Sequence, residues 1–101
     1  MILTQRIQAT KLLSAIGMLK VIAHPVRLAI VDLLTENERM TMLELQEALN
    51  LEQAIASQQI TLMEDKGVLT SEKVGRNKYV SLRFPKMKKI VTCLENCCND
   101  L

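Results

Sequence analysis

The residues with the most legible chemistry lie between Leu51 and Leu69, in LEQAIASQQITLMEDKGVL. Ala56, Ile60 and Met63 recur at i, i+4 and i+7 and share one face of a helix. That spacing turns Gln53, Ala54, Ser57, Gln58 and Thr61 together onto the opposite face, which is polar yet nearly uncharged. Solvated helix faces normally carry Lys and Glu. Two Gln amides and two short hydroxyls offer instead the donors and acceptors that pair with base edges in a major groove. Gly67 supplies a stop, which places this helix over 52–66. An ordinary amphipathic helix with a polar outer face shows the same periodicity, so the neighbouring residues decide between the two.

A second group is basic. From Lys73 to Lys89 the chain carries Lys73, Arg76, Lys78, Arg83, Lys86, Lys88 and Lys89 with no acidic residue between them. These are seven of the 13 basic residues, leaving six to face all 11 acidic ones, so a net charge of only +2 hides a strong asymmetry. A basic segment on an acidic body suits a polyanionic partner, although a solvated basic surface has the same composition.

The third group is Cys93, Cys97 and Cys98. An odd number of cysteines confined to the last nine residues is no disulfide framework and fits a reducing compartment. As a candidate thiol sensor, three thiols from each of two subunits would bind a soft cation or form an intersubunit disulfide. As a structural feature, Cys97 is a small apolar residue on a helix seam. His24, the lone histidine, stands beside Pro25 and reads as a capping or packing residue rather than a metal ligand. No nucleophile signature, paired carboxylate motif or phosphate-cradling glycine loop is present, so neither catalysis nor a cofactor is expected.

The elements that position these groups follow in order. The Pro-free stretch 2–23 places Ala9, Leu12, Ile16, Leu19 and Ala23 at intervals of 3 and 4, a first helix with a sustained apolar seam. His24-Pro25 opens a second helix whose inner face is Val26, Ile30, Leu33 and Leu34, ending where Asn37 adopts a left-handed conformation. Thr41-Met42-Leu43-Glu44 is a capping box starting a short third helix with Leu45, Ala48 and Leu49 inward and Asn50 at its end. A short helix joined by a tight turn to the Leu51–Leu69 helix is a helix-turn-helix. Val68 to Val74 and Tyr79 to Leu82 are β-prone runs around the turn Gly75-Arg76-Asn77-Lys78, a hairpin with Lys73, Arg76 and Lys78 near its tip. Phe84-Pro85 begins a last helix with Met87, Ile90, Leu94, Cys97 and Leu101 at intervals of 3 and 4.

The expected fold is therefore mainly α with a small β-hairpin: a single winged helix-turn-helix domain over 1–101 with five helices. The first and last helices carry apolar seams that a hairpin and short helices are too small to cover, so they are expected to form a homodimer interface. At 101 residues with 49% hydrophobic but only 2% aromatic content, the core is aliphatic. The longest nearly apolar run, Leu12 to Leu19, is far short of the roughly 20 residues that a membrane span needs. The N-terminus shows no secretion pattern, and a cytoplasmic protein is expected.

With these motifs assembled, the chain resembles the ArsR/SmtB family of winged-helix repressors over nearly its whole length. Leu19 to Leu34, LKVIAHPVRLAIVDLL, is similar to the family's LKALADPTRLRILxLL opening. Leu51 to Val68 follows its LSQSTVSHHLKxLRDAGL recognition helix, keeping Leu51, Gln53, Ser57, Asp65 and Gly67, and Gly75-Arg76 with Tyr79 and Ser81-Leu82 is similar to its wing. The resemblance implies a homodimeric repressor of double-stranded DNA that reads a short imperfect palindrome and is released by an inducer, often a metal. It implies base reading by Gln53, Ala54, Ser57 and Gln58 and phosphate contact by Arg76 and Lys78.

The departures are equally informative. Ala54 replaces the usual hydroxyl and Gln58 the usual His, so the operator is expected to differ; Thr61 and Glu64 replace commonly basic residues, and Glu52 stands where a Ser usually caps the helix. The family's metal sites are not matched. Met40-Thr41-Met42-Leu43-Glu44 has no thiol where a Cys-x-Cys motif sits in arsenic- and cadmium-type sensors, and no histidine follows His24. A different function class, a winged-helix module that binds a protein partner through the low-charge face of the central helix, fits the acidic residues on that helix and the small net charge.

Overall fold

A computed structural model describes residues 3–101, which form five α-helices and one three-stranded antiparallel sheet. The order is α1 (Ala9–Ile22), α2 (Pro25–Glu36), β1 (Met40–Thr41), α3 (Met42–Leu49), α4 (Gln53–Asp65), β2 (Leu69–Val74), β3 (Asn77–Leu82) and α5 (Lys88–Asn99). The winged helix-turn-helix expected from sequence is thus the fold observed.

The first helix carries the expected seam but is shorter than the Pro-free stretch 2–23 suggested. Ile2, near the expected start, lies outside the described residues; Leu3–Gln5 form a 3-10 turn, and extended backbone at Gln8, whose side chain makes no capping bond, delays α1 to Ala9. His24 then caps α2 through Nδ1, which accepts a hydrogen bond from the Val26 amide at 3.2 Å, with Pro25 pre-organised at the first helical position. At the far end Asn37 is extended (φ −129°) rather than left-handed, and its side-chain amide donates to the Leu33 carbonyl. The Leu33 carbonyl accepts from both the backbone amide and the side-chain amide of Asn37, so the helix ends without a positive φ.

The capping box forms as the sequence predicts. The Glu44 amide donates to Thr41 Oγ1 at 3.1 Å, and the Thr41 amide donates to Glu44 Oε1 at 2.9 Å. Hydrogen bonding of the carboxylate to the Thr41 amide first, and to the Thr41 side chain second, holds the Glu44 carboxyl below the usual carboxylate range. Asn50 (φ 52°) ends α3 in the left-handed region, and only Leu51 and Glu52 follow it before α4. Leu45 is buried and Leu49 half-buried, but Ala48 is exposed rather than inward, because eight residues turn only a narrow stripe toward the core.

The sheet order is β1-β3-β2. The short strand β1, which pairs Met40 with Val80 and Thr41 with Tyr79, was not among the sequence expectations. It fastens the root of the wing to the helix-turn-helix, and the Arg39 guanidinium lies 4.1 Å from the centre of the Tyr79 ring. The wing turn is also tighter than expected. Val74 pairs directly with Asn77, so Gly75 (φ 63°) and Arg76 alone make the turn, as a two-residue hairpin with glycine at its first position.

The core gathers Ile30, Val31, Leu45, Ile60, Met63, Val68 and Val80, each at most 1% exposed. Around it α1 and α5 remain largely uncovered. Leu13, Ile16 and Leu19 of α1 are exposed; Pro85–Met87, where the last helix was expected to begin, form a 3-10 turn that buries Met87, and α5 itself buries no residue, with Ile90 half-buried and Leu94, Cys97 and Leu101 of the seam exposed. The radius of gyration, 14.7 Å, exceeds the about 13 Å of a compact domain of this length, as these outlying helices require. Among the described residues no single helix is long and apolar enough to cross a membrane.

Candidate nucleic-acid interface

Helix α4 is sharply two-sided. Ala56, Ile60 and Met63 are buried against the core, while Gln53, Ala54, Ser57, Gln58 and Thr61 are all exposed on the outer side. Its N-terminal Glu52 makes no side-chain cap, so the first-turn amides lack that partner. Its C-terminus closes firmly. The Gly67 amide donates to the Glu64 carbonyl and the Val68 amide to the Met63 carbonyl, the two bonds of a Schellman ending, with Gly67 at φ 80° and Val68 buried.

Two long-range contacts fix the orientation of this helix. Arg27 of α2 donates through Nε to Gln59 Oε1 at 2.8 Å and through Nη1 to the Val21 carbonyl at 3.0 Å. One guanidinium thus joins the middle of α4 to the last turn of α1. On the other side Glu64 reaches the wing: its Oε1 lies 2.7 Å from Lys78 Nζ, and its Oε2 accepts a hydrogen bond from Ser71 Oγ at 3.1 Å. Arg27, Gln59 and Ser71 were not among the residues singled out by sequence, and Glu64 was noted there only as an acid in a commonly basic position, not as a contact to the wing. Gln59 interrupts the exposed polar stripe, and its half-buried position on the helix is the only signal that would have separated it from Gln58.

Glu64 follows Ser57 and Thr61 at helical spacing on the same side of α4, so its contact with Lys78 sets the wing against the C-terminal end of that face. Lys73 and Arg76 are exposed near the wing tip, whereas Lys78, read from sequence as a further phosphate contact, is half-buried with its ammonium on Glu64. The thiols are elsewhere, on α5. Cys93, Cys97 and Cys98 are free and exposed, and among the described residues no three His, Cys, Asp or Glu side chains come together in a group able to hold a metal ion. A hydrogen bond with Cys93, reinforced by the charges that Cys93 and Cys98 would carry, pushes the Cys97 thiol above its ordinary value. The thiolate of Cys97 is correspondingly scarce at neutral pH.

A family profile described as "Helix-turn-helix domain" matches residues 22–72. The chain is 34% identical over 77 residues to the transcriptional repressor PagR of Bacillus anthracis, covering 76% of this chain and 77% of that one. The two structures superpose with a TM-score of 0.78 over 86% of this chain and 99% of PagR. The chain belongs to the ArsR/SmtB family of winged helix-turn-helix repressors. A second family relative, the repressor SmtB of Mycobacterium tuberculosis, is 40% identical over 82 residues, 80% of this chain but 60% of its own length. The fold is also that of the homodimeric winged helix-turn-helix DNA-binding domain Mb0332 from Mycobacterium bovis, with a TM-score of 0.79 over 92% of this chain and 85% of that one at 17% identity. Within the ArsR/SmtB frame, α4 occupies the place of the recognition helix and β2–β3 that of the wing.

Proposed function

We propose that this chain is a cytoplasmic, homodimeric, sequence-specific repressor that inserts α4 of each copy into the major groove of a palindromic operator. Gln53, Ala54, Ser57, Gln58 and Thr61 meet base edges, while Lys73 and Arg76 contact the flanking phosphates. The observation that carries this reading is the division of α4 itself. Ala56, Ile60 and Met63 are buried, while Gln53, Ser57, Gln58 and Thr61 present exposed hydrogen-bonding groups on the opposite face, at whose C-terminal end Glu64 meets the wing.

The uncovered seams of α1 and α5 support the dimer. Leu13, Ile16 and Leu19 on α1 and Leu94 on α5 are apolar side chains left exposed, which a second copy would cover by two-fold symmetry, and the homodimeric state of Mb0332 is consistent with it. No catalytic role is assigned, in keeping with the regulators to which the chain is related.

Selection of bound sequences from a random duplex pool tests the proposal. A palindromic winner is expected, with Gln58→Ala changing the preferred base at one position in each half-site. Absence of any shift with bulk duplex at low salt would overturn it in favour of a module that uses the face of α4 to bind a protein.

A further inference from the structure

Glu64 is poorly explained by its own helix. It sits in the last turn of α4, where the helix dipole disfavours a negative charge, and on the side of the molecule assigned to a polyanion. Its environment in the wing supplies the reason. Strand register sets Leu69 opposite Leu82, Ser71 opposite Val80 and Lys73 opposite Lys78, and alternation places all six on one face of the hairpin. That face is apolar at its root, where Leu69, Leu82 and Val80 are buried, and ends near the tip in two directly opposed lysines. Like charges in that arrangement push the strands apart. The Glu64 carboxylate meets one of the two lysines, with one oxygen 2.7 Å from Lys78 Nζ and shielded from solvent, and the other accepting from Ser71 on the neighbouring strand.

We propose that Glu64 is a positioning residue that straps the wing to the recognition helix and withholds Lys78 from DNA phosphate. It neutralises one of the two opposed lysines and fastens both strands, so the wing meets DNA in a fixed pose relative to α4. The non-specific electrostatic component of binding then falls to Lys73 and Arg76. A strap of this kind trades affinity for any duplex against discrimination among duplexes, because every phosphate contact added without a base contact strengthens all sites alike. The effect on DNA rests on the repressor reading above; the strap itself does not.

Two measurements separate these levels. In the free protein, amide hydrogen exchange across residues 69–82 is expected to quicken in Glu64→Gln, an isosteric change, and also in Ser71→Ala; wild-type protection in both variants would overturn the strap. With a non-operator duplex, the salt dependence of binding is compared for wild type, Glu64→Gln, Lys78→Ala and the double variant. Glu64→Gln is expected to steepen the log–log slope by about 0.9 per subunit, or about 1.8 per dimer, as Lys78 reaches a phosphate. Lys78→Ala alone should leave the slope as in wild type, and the double variant should return to it. A flatter slope for Lys78→Ala alone would show that Lys78 already contacts phosphate and would overturn the withholding role. Failure of the wild type to bind any duplex would refute the repressor reading, and the exchange measurement would still decide whether the strap exists.

Discussion

Replacing Arg76 with Ala probes the division of labour between the groove-facing helix and the wing. Arg76 is exposed at the second position of the two-residue turn, and among the described residues no carboxylate pairs with it. Its removal therefore leaves no buried group orphaned, and the folded structure should be unaffected. Each phosphate neutralised by a protein cation contributes about 0.9 to the slope of log affinity against log salt, so losing one contact from each half of a dimer flattens that slope by about 1.8. Between about 50 and 200 mM salt, wild-type affinity should thus fall roughly twelvefold further than that of the variant. Fluorescence anisotropy with a labelled duplex, repeated over a salt series, reads this directly. The base preference of the variant should match that of wild type, since the wing tip carries position rather than sequence information. Parallel slopes for the two proteins, or a changed base preference, would refute the assignment of Arg76 to the phosphate backbone.

Other predictions concern the scaffold and the thiols. Ile60→Ala, at a position only 1% exposed beneath the reading face, should destabilise the domain by about 2–5 kcal/mol in urea unfolding, as a cavity in a packed core does. The charge of Glu44 stabilises the fold only while ionised: its folded-state pKa is lowered, so the benefit is present above the ordinary carboxylate range and disappears as pH falls through the lowered value. The urea midpoints of wild type and Glu44→Gln should accordingly differ at neutral pH and converge in acid; a gap that persists at low pH would assign the effect to something other than the charge. Cys93→Ala removes the principal cause of the raised Cys97 thiol, so alkylation of Cys97 near neutral pH should be faster in that variant than in wild type. Leu19→Glu, on the uncovered seam of α1, should shift the sedimentation of the protein from dimer to monomer while leaving its helical content intact.

Sequence legibility tracked the range of the interaction responsible. The capping box at Thr41 and Glu44, the His24-Pro25 start of α2 and the stop at Gly67 involve residues no more than a few positions apart, so local chemistry decides them. The burial of Ala56, Ile60 and Met63 was equally legible, since thirteen residues of α4 give a helical period room to declare itself. Strand β1 was not legible, because two residues make no pattern and Met40–Thr41 become a strand only when β3 arrives beside them. The Glu64 strap depends on how strands fold back on a helix, and the Arg27–Gln59 bond joins residues 32 positions apart. The exposed face of α4 was legible as a set of side chains; which of its neighbours belong to the scaffold emerged only once Gln59 and Lys78 were seen with their partners.

The contact between Arg39 and Tyr79 has an optical consequence. Tyr79 is the only tyrosine and the chain has no tryptophan, so its near-ultraviolet emission comes almost entirely from one ring, held where β1 joins the wing. Any event that shifts this junction changes the environment of the single emitter, whether it is docking on a duplex, loosening of the hairpin or unfolding of the domain. The unmodified protein therefore carries its own spectroscopic reporter where the wing joins the helix-turn-helix.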